Sequence, residues 1–225
     1  MEDGRPPKVV GSVWGRVRDP SPHGLRSPDR HLLKTGEDAR PPSRLATVNL
    51  LNWDKLSLMR VLGVDCGTEY TGFGVVELGP NDSLVCLTCG AIKLSPRDPM
   101  ARRLAIIFDR LGSIIDEHRP DNVAIEDVFY AVNVKSALKL GQVRGVAMLA
   151  ASSAGLDVAE YSPLSIKSAV VGYGRAEKPQ VQHMVTRLLN LDQVPEPADA
   201  ADALAIAICH LHTSATLLRQ RAVSG

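Results

Sequence analysis

The sequence predicts an α/β domain, a mixed five-stranded sheet flanked by helices, that begins only after a long leading segment of different character. Three observations carry this. Residues 61–94 hold three consecutive segments rich in β-branched residues, so the domain opens as a meander. After them, helical and strand-like apolar patterns alternate, which calls for crossover connections and parallel strands. Residues 1–58 hold seven of the 15 prolines, ten basic and seven acidic residues, and no hydrophobic periodicity before about Leu45.

Each element has its own signal. Residues 61–65 are an apolar strand ending in Asp65, and 71–78 and 84–94 continue the meander across the turn signal Gly79-Pro80-Asn81-Asp82. Leu104, Ile107, Phe108, Leu111, Ile114 and Ile115 keep helical spacing and predict a helix over 99–118. A fourth strand, 122–127, carries Glu126. A long helix of small and apolar residues follows at 134–154, then a strand at 156–161 and helices over 163–171, 177–190 and 198–215. This order matches a ribonuclease H-like fold, which by itself does not give function.

The leading segment reads either as a flexible tail or as residues upstream of a true start at Met59; the second is favoured, because Met59 opens the first clean strand. Without it the chain carries 16 basic and 18 acidic side chains. No apolar run reaches the roughly 18 residues of a membrane-spanning helix, and the N-terminus has no apolar signal core, so a cytoplasmic protein with no membrane partner is expected. Cys86-x-x-Cys89 has the spacing of half a zinc site without a second pair. In a regular strand residues three apart face opposite ways, so reduced thiols without metal are expected.

The chemistry lies in four acids. Asp65 and Glu126 each close an apolar strand, where a carboxylate is costly unless compensated, and ligands collect outside such strand ends. Asp199 and Asp202 open the last helix; three residues apart they lie about 60° apart around the axis and can face one point. That helix is expected to turn Ala203, Leu204, Ala207, Ile208 and Leu211 to the core. Gly67 and Gly72 flank the first acid and let backbone come close. Taken singly, Asp199 reads equally as a first-turn acid, Asp202 as a solvated one and Glu126 as an ion-pair partner. Together, carboxylates from separate elements can bracket a pair of hard divalent ions about 4 Å apart, the arrangement that phosphodiester hydrolysis uses.

Residues 59–68, MRVLGVDCGT, together with Ala124-Ile125-Glu126-Asp127-Val128-Phe129, residues 133–145 (NVKSALKLGQVRG), residues 172–184 (GYGRAEKPQVQHM) and 198–210, resemble the bacterial RuvC Holliday-junction resolvases, in the family's order over about 59–215. The resemblance implies a crossover junction endodeoxyribonuclease that resolves Holliday junctions in recombination and repair. It implies Asp65, Glu126, Asp199 and Asp202 as ligands of Mg²⁺ (Mn²⁺ substituting), two ions per site. It also implies Lys167 and Lys178 as catalytic lysines, Phe129 as an aromatic that stacks on an unpaired base, a homodimer through the helix at 134–154, and the RuvA–RuvB branch-migration complex as a partner. One residue departs from the family: Cys66 stands where proline usually follows the first acid, which brings a thiol near the metals without removing a ligand.

With more acids than bases in residues 59–225, DNA must be held by local cations rather than bulk charge; Arg144, Lys135, Lys139, Lys167, Arg175 and Lys178 are the candidates. The helix at 134–154 carries Gly141 and Gly145 with Ala137, Ala147 and Ala150, small residues that allow close helix approach. Three other readings compete. A sugar-kinase-like ATPase would need a second phosphate loop and a second domain, which this length lacks. A RuvC-like ribosomal-RNA processing nuclease is shorter, with different acidic spacing. A non-enzymatic junction scaffold would not need the full acid set.

Overall fold

A computed structural model of the chain describes residues 59–127 and 134–223, with side chains to Gln220. The expectations for residues 1–58 and Phe129 lie outside the described residues.

Five strands form one sheet: β1 (Arg60–Asp65), β2 (Tyr70–Leu78), β3 (Leu84–Lys93), β4 (Asn122–Glu126) and β5 (Asp157–Tyr161), in the spatial order β3-β2-β1-β4-β5. β1–β2 and β2–β3 pair antiparallel, β1–β4 and β4–β5 parallel. The meander and crossovers thus give the mixed sheet and the ribonuclease H-like order that the pattern predicts. The turn before β3 puts Asn81 and Asp82 both at φ 58°, the left-handed region that short polar side chains tolerate.

Helices α1 (Met100–His118) and α2 (Val134–Ser153) cover one face of the sheet. Helices α3 (Pro163–Val171), α4 (Lys178–Leu188) and α5 (Ala198–Val223) cover the other. Several boundaries are chemically marked. Ser162 caps α3 by accepting from Ser165 N–H, Gln180 accepts from Glu177 N–H at the start of α4, and Arg119 closes α1 in the left-handed region.

Helix α5 departs from expectation in two ways. It runs beyond 215, and its 23 residues Ala198–Gln220 are long and apolar enough to cross a membrane, with a mean hydropathy of 1.3. That apolarity serves burial instead. Residues 203–211 are all buried, so the helix is enclosed on nearly every side rather than along the narrow stripe expected. It lies directly on the sheet because glycines make room: a Cβ on Gly63 would stand 2.0 Å from the Ala203 carbonyl oxygen, and one on Gly74 would meet Leu204.

The edge strand β3 also departs from expectation. The register slips between Val75 and Val76, so Val76 pairs with Cys86, Val75 with Thr88 and Gly74 with Cys89. Leu87 is the extra residue of a β-bulge. Because Gly74 and Val76 share a face, their partners Cys89 and Cys86 do as well, and both pack on the α5 side. The bulge cancels the alternation that was expected to separate them.

Candidate active site

Asp65 and Glu126 are the last residues of β1 and β4, and the parallel register pairs the residues just before them, Val64 with Ile125. Both carboxylates therefore emerge side by side at one sheet edge. Asp65 also pairs with Gly72 on β2, and a Cβ on Gly72 would stand 2.0 Å from the Asp199 carbonyl oxygen. The missing side chain is what allows the first turn of α5 to come up against β2. Asp202 follows on the same helix and lines, with Asp65 and Glu126, a cleft of about 210 Å³. Lys167 of α3 and Lys178, the first residue of α4, line the same cleft over a floor that includes Ile166 and Ile206.

Electrostatics show how closely the acids are gathered. Burial, then repulsion from Asp202, Glu126 and Asp199, pushes the Asp65 carboxyl up to about 7, against a smaller pull from Lys178. Burial and Asp202 raise Glu126, while Lys167 and Lys178 oppose this. Lys178 Nζ donates to Asp202 Oδ2 at 2.5 Å, and that bond raises the lysine. The four acids and two lysines singled out in the sequence thus share one electrostatic site; Asp199 acts on Asp65 without lining the cleft.

Whether these groups suit a metal follows from their donor chemistry. All four acids offer oxygen, the donor of hard divalent ions, and their mutual repulsion is what a cation would relieve. Among the described residues no three acids converge closely enough to ligate one point, and the Lys178 ammonium occupies Asp202. The donor set fits a divalent cation in chemistry, and Asp65, Glu126, Asp199 and Asp202 are the groups that would hold it.

Other expectations fare differently. Arg144 of α2 forms ion pairs with Asp127, at 3.4 Å, and with Glu160, and its side chain is 18% exposed. Its guanidinium braces β4 and β5 beside Glu126. Cys66, near both acids, is pushed up to about 12 by burial and by Asp65 and Glu126, with Arg144 opposing, so its thiol stays protonated and unreactive. Ala147 and Ala150 are buried in the chain's own core, whereas Gly141 and Gly145 face open space.

The sequence reading missed Arg103. It donates to the Thr68 carbonyl at 2.9 Å, tying the loop after Asp65 to α1. Its signal was visible: it sits in the stripe of Ile107, Leu111 and Ile114, where a charged residue implies a buried task. A second missed pair, Tyr161 Oη with His210 Nδ1 at 3.0 Å, joins the end of β5 to α5, and burial keeps His210 low, hence neutral.

Comparison with known proteins agrees with this geometry. A family model described as "Crossover junction endodeoxyribonuclease RuvC" matches residues 61–210. A protein of that name from Koribacter versatilis (strain Ellin345) is 70% identical over 164 residues, which cover 73% of this chain and 99% of the relative. The structure of T. thermophilus RuvC in complex with Holliday junction substrate is 33% identical, covers 70% of this chain and 96% of its own, and superposes with a TM-score of 0.65. The yeast mitochondrial Holliday junction resolvase Ydc2, 13% identical over 74% of this chain and 84% of its own, shares the fold at a TM-score of 0.56. With the family model spanning the domain from β1 into α5, the chain belongs to the RuvC family of crossover junction endodeoxyribonucleases.

Proposed function

We propose that this chain resolves four-way DNA junctions by paired symmetric nicks, in recombination and repair, using two Mg²⁺ ions (Mn²⁺ substituting) held by Asp65, Glu126, Asp199 and Asp202. The observation that carries this is the cleft where Asp65 and Glu126, at the ends of β1 and β4, meet Asp202 of α5 together with Lys167 and Lys178, while Asp199 acts on Asp65 from the first turn of α5. The T. thermophilus relative's junction complex supports the substrate.

When bound, the ions supply an activated water and Lewis acidity at the scissile phosphate. The protein's own share is positional. Strand ends fix Asp65 and Glu126, and α5, seated against Gly72, brings up Asp199 and Asp202. Lys167 and Lys178 give fixed positive charge at the cleft, where negative charge develops on the phosphate. Phe129, close after Glu126 in sequence, is proposed to stack on a base opened at the crossover.

A homodimer would place two such sites on strands related by a two-fold axis. Helix α2 supports it: Val134, Leu138 and Leu149 are 74%, 66% and 57% exposed along one side, next to the open space at Gly141 and Gly145. Such an apolar stripe is what a partner helix covers. By family resemblance the dimer would act in the cytoplasm with the RuvA–RuvB branch-migration complex.

The test is incubation of the purified protein with a synthetic four-way junction and Mg²⁺, beside linear duplex. Cleavage of the junction alone supports the reading; binding without cleavage would favour the scaffold.

A further inference from the structure

The bulge in β3 creates a feature outside the acid site. In a regular strand Cys86 and Cys89 would point to opposite faces. Here the extra residue Leu87 folds three steps of chain into the span of two on the neighbouring strand, from Gly74 to Val76. At 3.2–3.4 Å per residue that span is roughly 6.6 Å, within the Cα separation disulfides adopt, at its long end. Both side chains face the α5 side, and both are partly exposed. Among the described residues β3 is an edge strand paired with β2 alone, so its backbone has freedom to shift toward a tighter pairing of the sulfurs.

We propose that Cys86 and Cys89 form a thiol redox site that low-molecular-weight disulfides oxidise reversibly to an intrastrand disulfide. In the first step the Cys89 thiolate attacks one sulfur of the small disulfide, forming a mixed disulfide and releasing one small thiolate. In the second, Cys86 attacks the Cys89 sulfur and its proton goes to the departing small thiolate. Two electrons pass from the cysteine pair to the small disulfide, which leaves as two thiols. The same thiols in excess run the sequence backwards.

The other cysteines provide an internal contrast. Burial pushes Cys209 up to about 11, whereas the neighbouring Cys86 thiol lowers Cys89. Cys89 is thus the thiol of the pair that ionises first, with Cys86 on the same face to resolve a mixed disulfide. The pair lies on β3, separated from the β1 acid by β2, so the site is independent of the metal ligands.

Oxidised glutathione, incubated with the full-length protein at neutral pH, tests this by mass spectrometry after alkylation. The expected product is the chain lighter by two hydrogens, linked Cys86 to Cys89, with Cys66 and Cys209 still alkylated and reacting at least about 10-fold more slowly. Cys86→Ser should instead hold one glutathione on Cys89, and Cys89→Ser should suppress the reaction. Modification first at Cys66 or Cys209, a link between chains, or a wild-type mixed disulfide that never resolves would overturn the proposal. The wild-type result decides even if a variant fails to fold.

Discussion

Lys178 Nζ stands 2.5 Å from Asp202 Oδ2, so a lysine at the first position of α4 neutralises an acid at the start of α5. This contact joins two helices that both line the cleft. It also places a fixed cation in the cleft that Asp65 and Glu126 line.

Lys178→Ala is expected to slow cleavage by about 100-fold, the cost of removing one fixed group aimed at developing charge. Junction affinity should change far less. Single-turnover cleavage measured beside binding in Ca²⁺ separates the two. A change confined to affinity and its salt dependence would make Lys178 a remote phosphate contact.

Asp65→Asn and Glu126→Gln should each lower cleavage at least about 100-fold, beyond what disturbing a ligand's supporting contacts costs, while junction binding stays near wild type. Electrophoretic mobility shift and cleavage on the same junction check this pair of outcomes. Near-normal cleavage by either variant would remove these acids from the metal set.

Stability of the metal-free protein should fall as pH rises from about 4 to about 7. Asp65 is raised from its ordinary 3.8 to about 7, so between those values the folded chain holds a proton the unfolded chain has lost. The stability is therefore present at acid pH and lost as Asp65 ionises. Thermal melts across this range should show the decline, and Asp65→Asn should flatten it. Divalent cation should restore stability near pH 8 in wild type but much less in the variant.

Gly72→Ala tests the packing that delivers Asp199. The new methyl would stand 2.0 Å from the Asp199 carbonyl, so α5 or β2 must shift. A loss of about 1–3 kcal/mol in denaturant melts is expected, with cleavage falling more than the same substitution at Gly112 on α1, where nothing lies within 4 Å of the new atom.

Residues 59–225 alone should fold and cleave like the full chain. The proline-rich composition of the first 58 residues and the strand opening at Arg60 motivate this. Comparison of the two proteins' melts and junction cleavage would show any contribution from the leading segment.

Much of the fold was legible because its signals are local. Apolar strands ending in acids, a turn of Asn81 and Asp82, and helical spacing in α1 each announce themselves within a few residues. The acids were legible as well, since a carboxylate ending an apolar strand is conspicuous. What stayed hidden depends on relations between strands or on tertiary charge. The bulge at Leu87 is set by pairing with Val75 and Val76, so alternation alone placed Cys86 and Cys89 wrongly. Arg144 reads as a surface base until Asp127 and Glu160 are brought to it by β4 and β5. Helix α5 carried too much apolarity for one stripe, which was the available sign that it lies enclosed between the sheet and α3 and α4.

The central claim concerns paired action at a junction. A mobile four-way junction, labelled on each strand in turn and incubated with the protein and Mg²⁺, tests it most directly. Cuts are expected on two strands of like polarity at symmetric positions, giving nicked duplexes that a ligase seals without trimming. Cuts on one strand only, cuts at unrelated positions, or equal activity on linear duplex would contradict it.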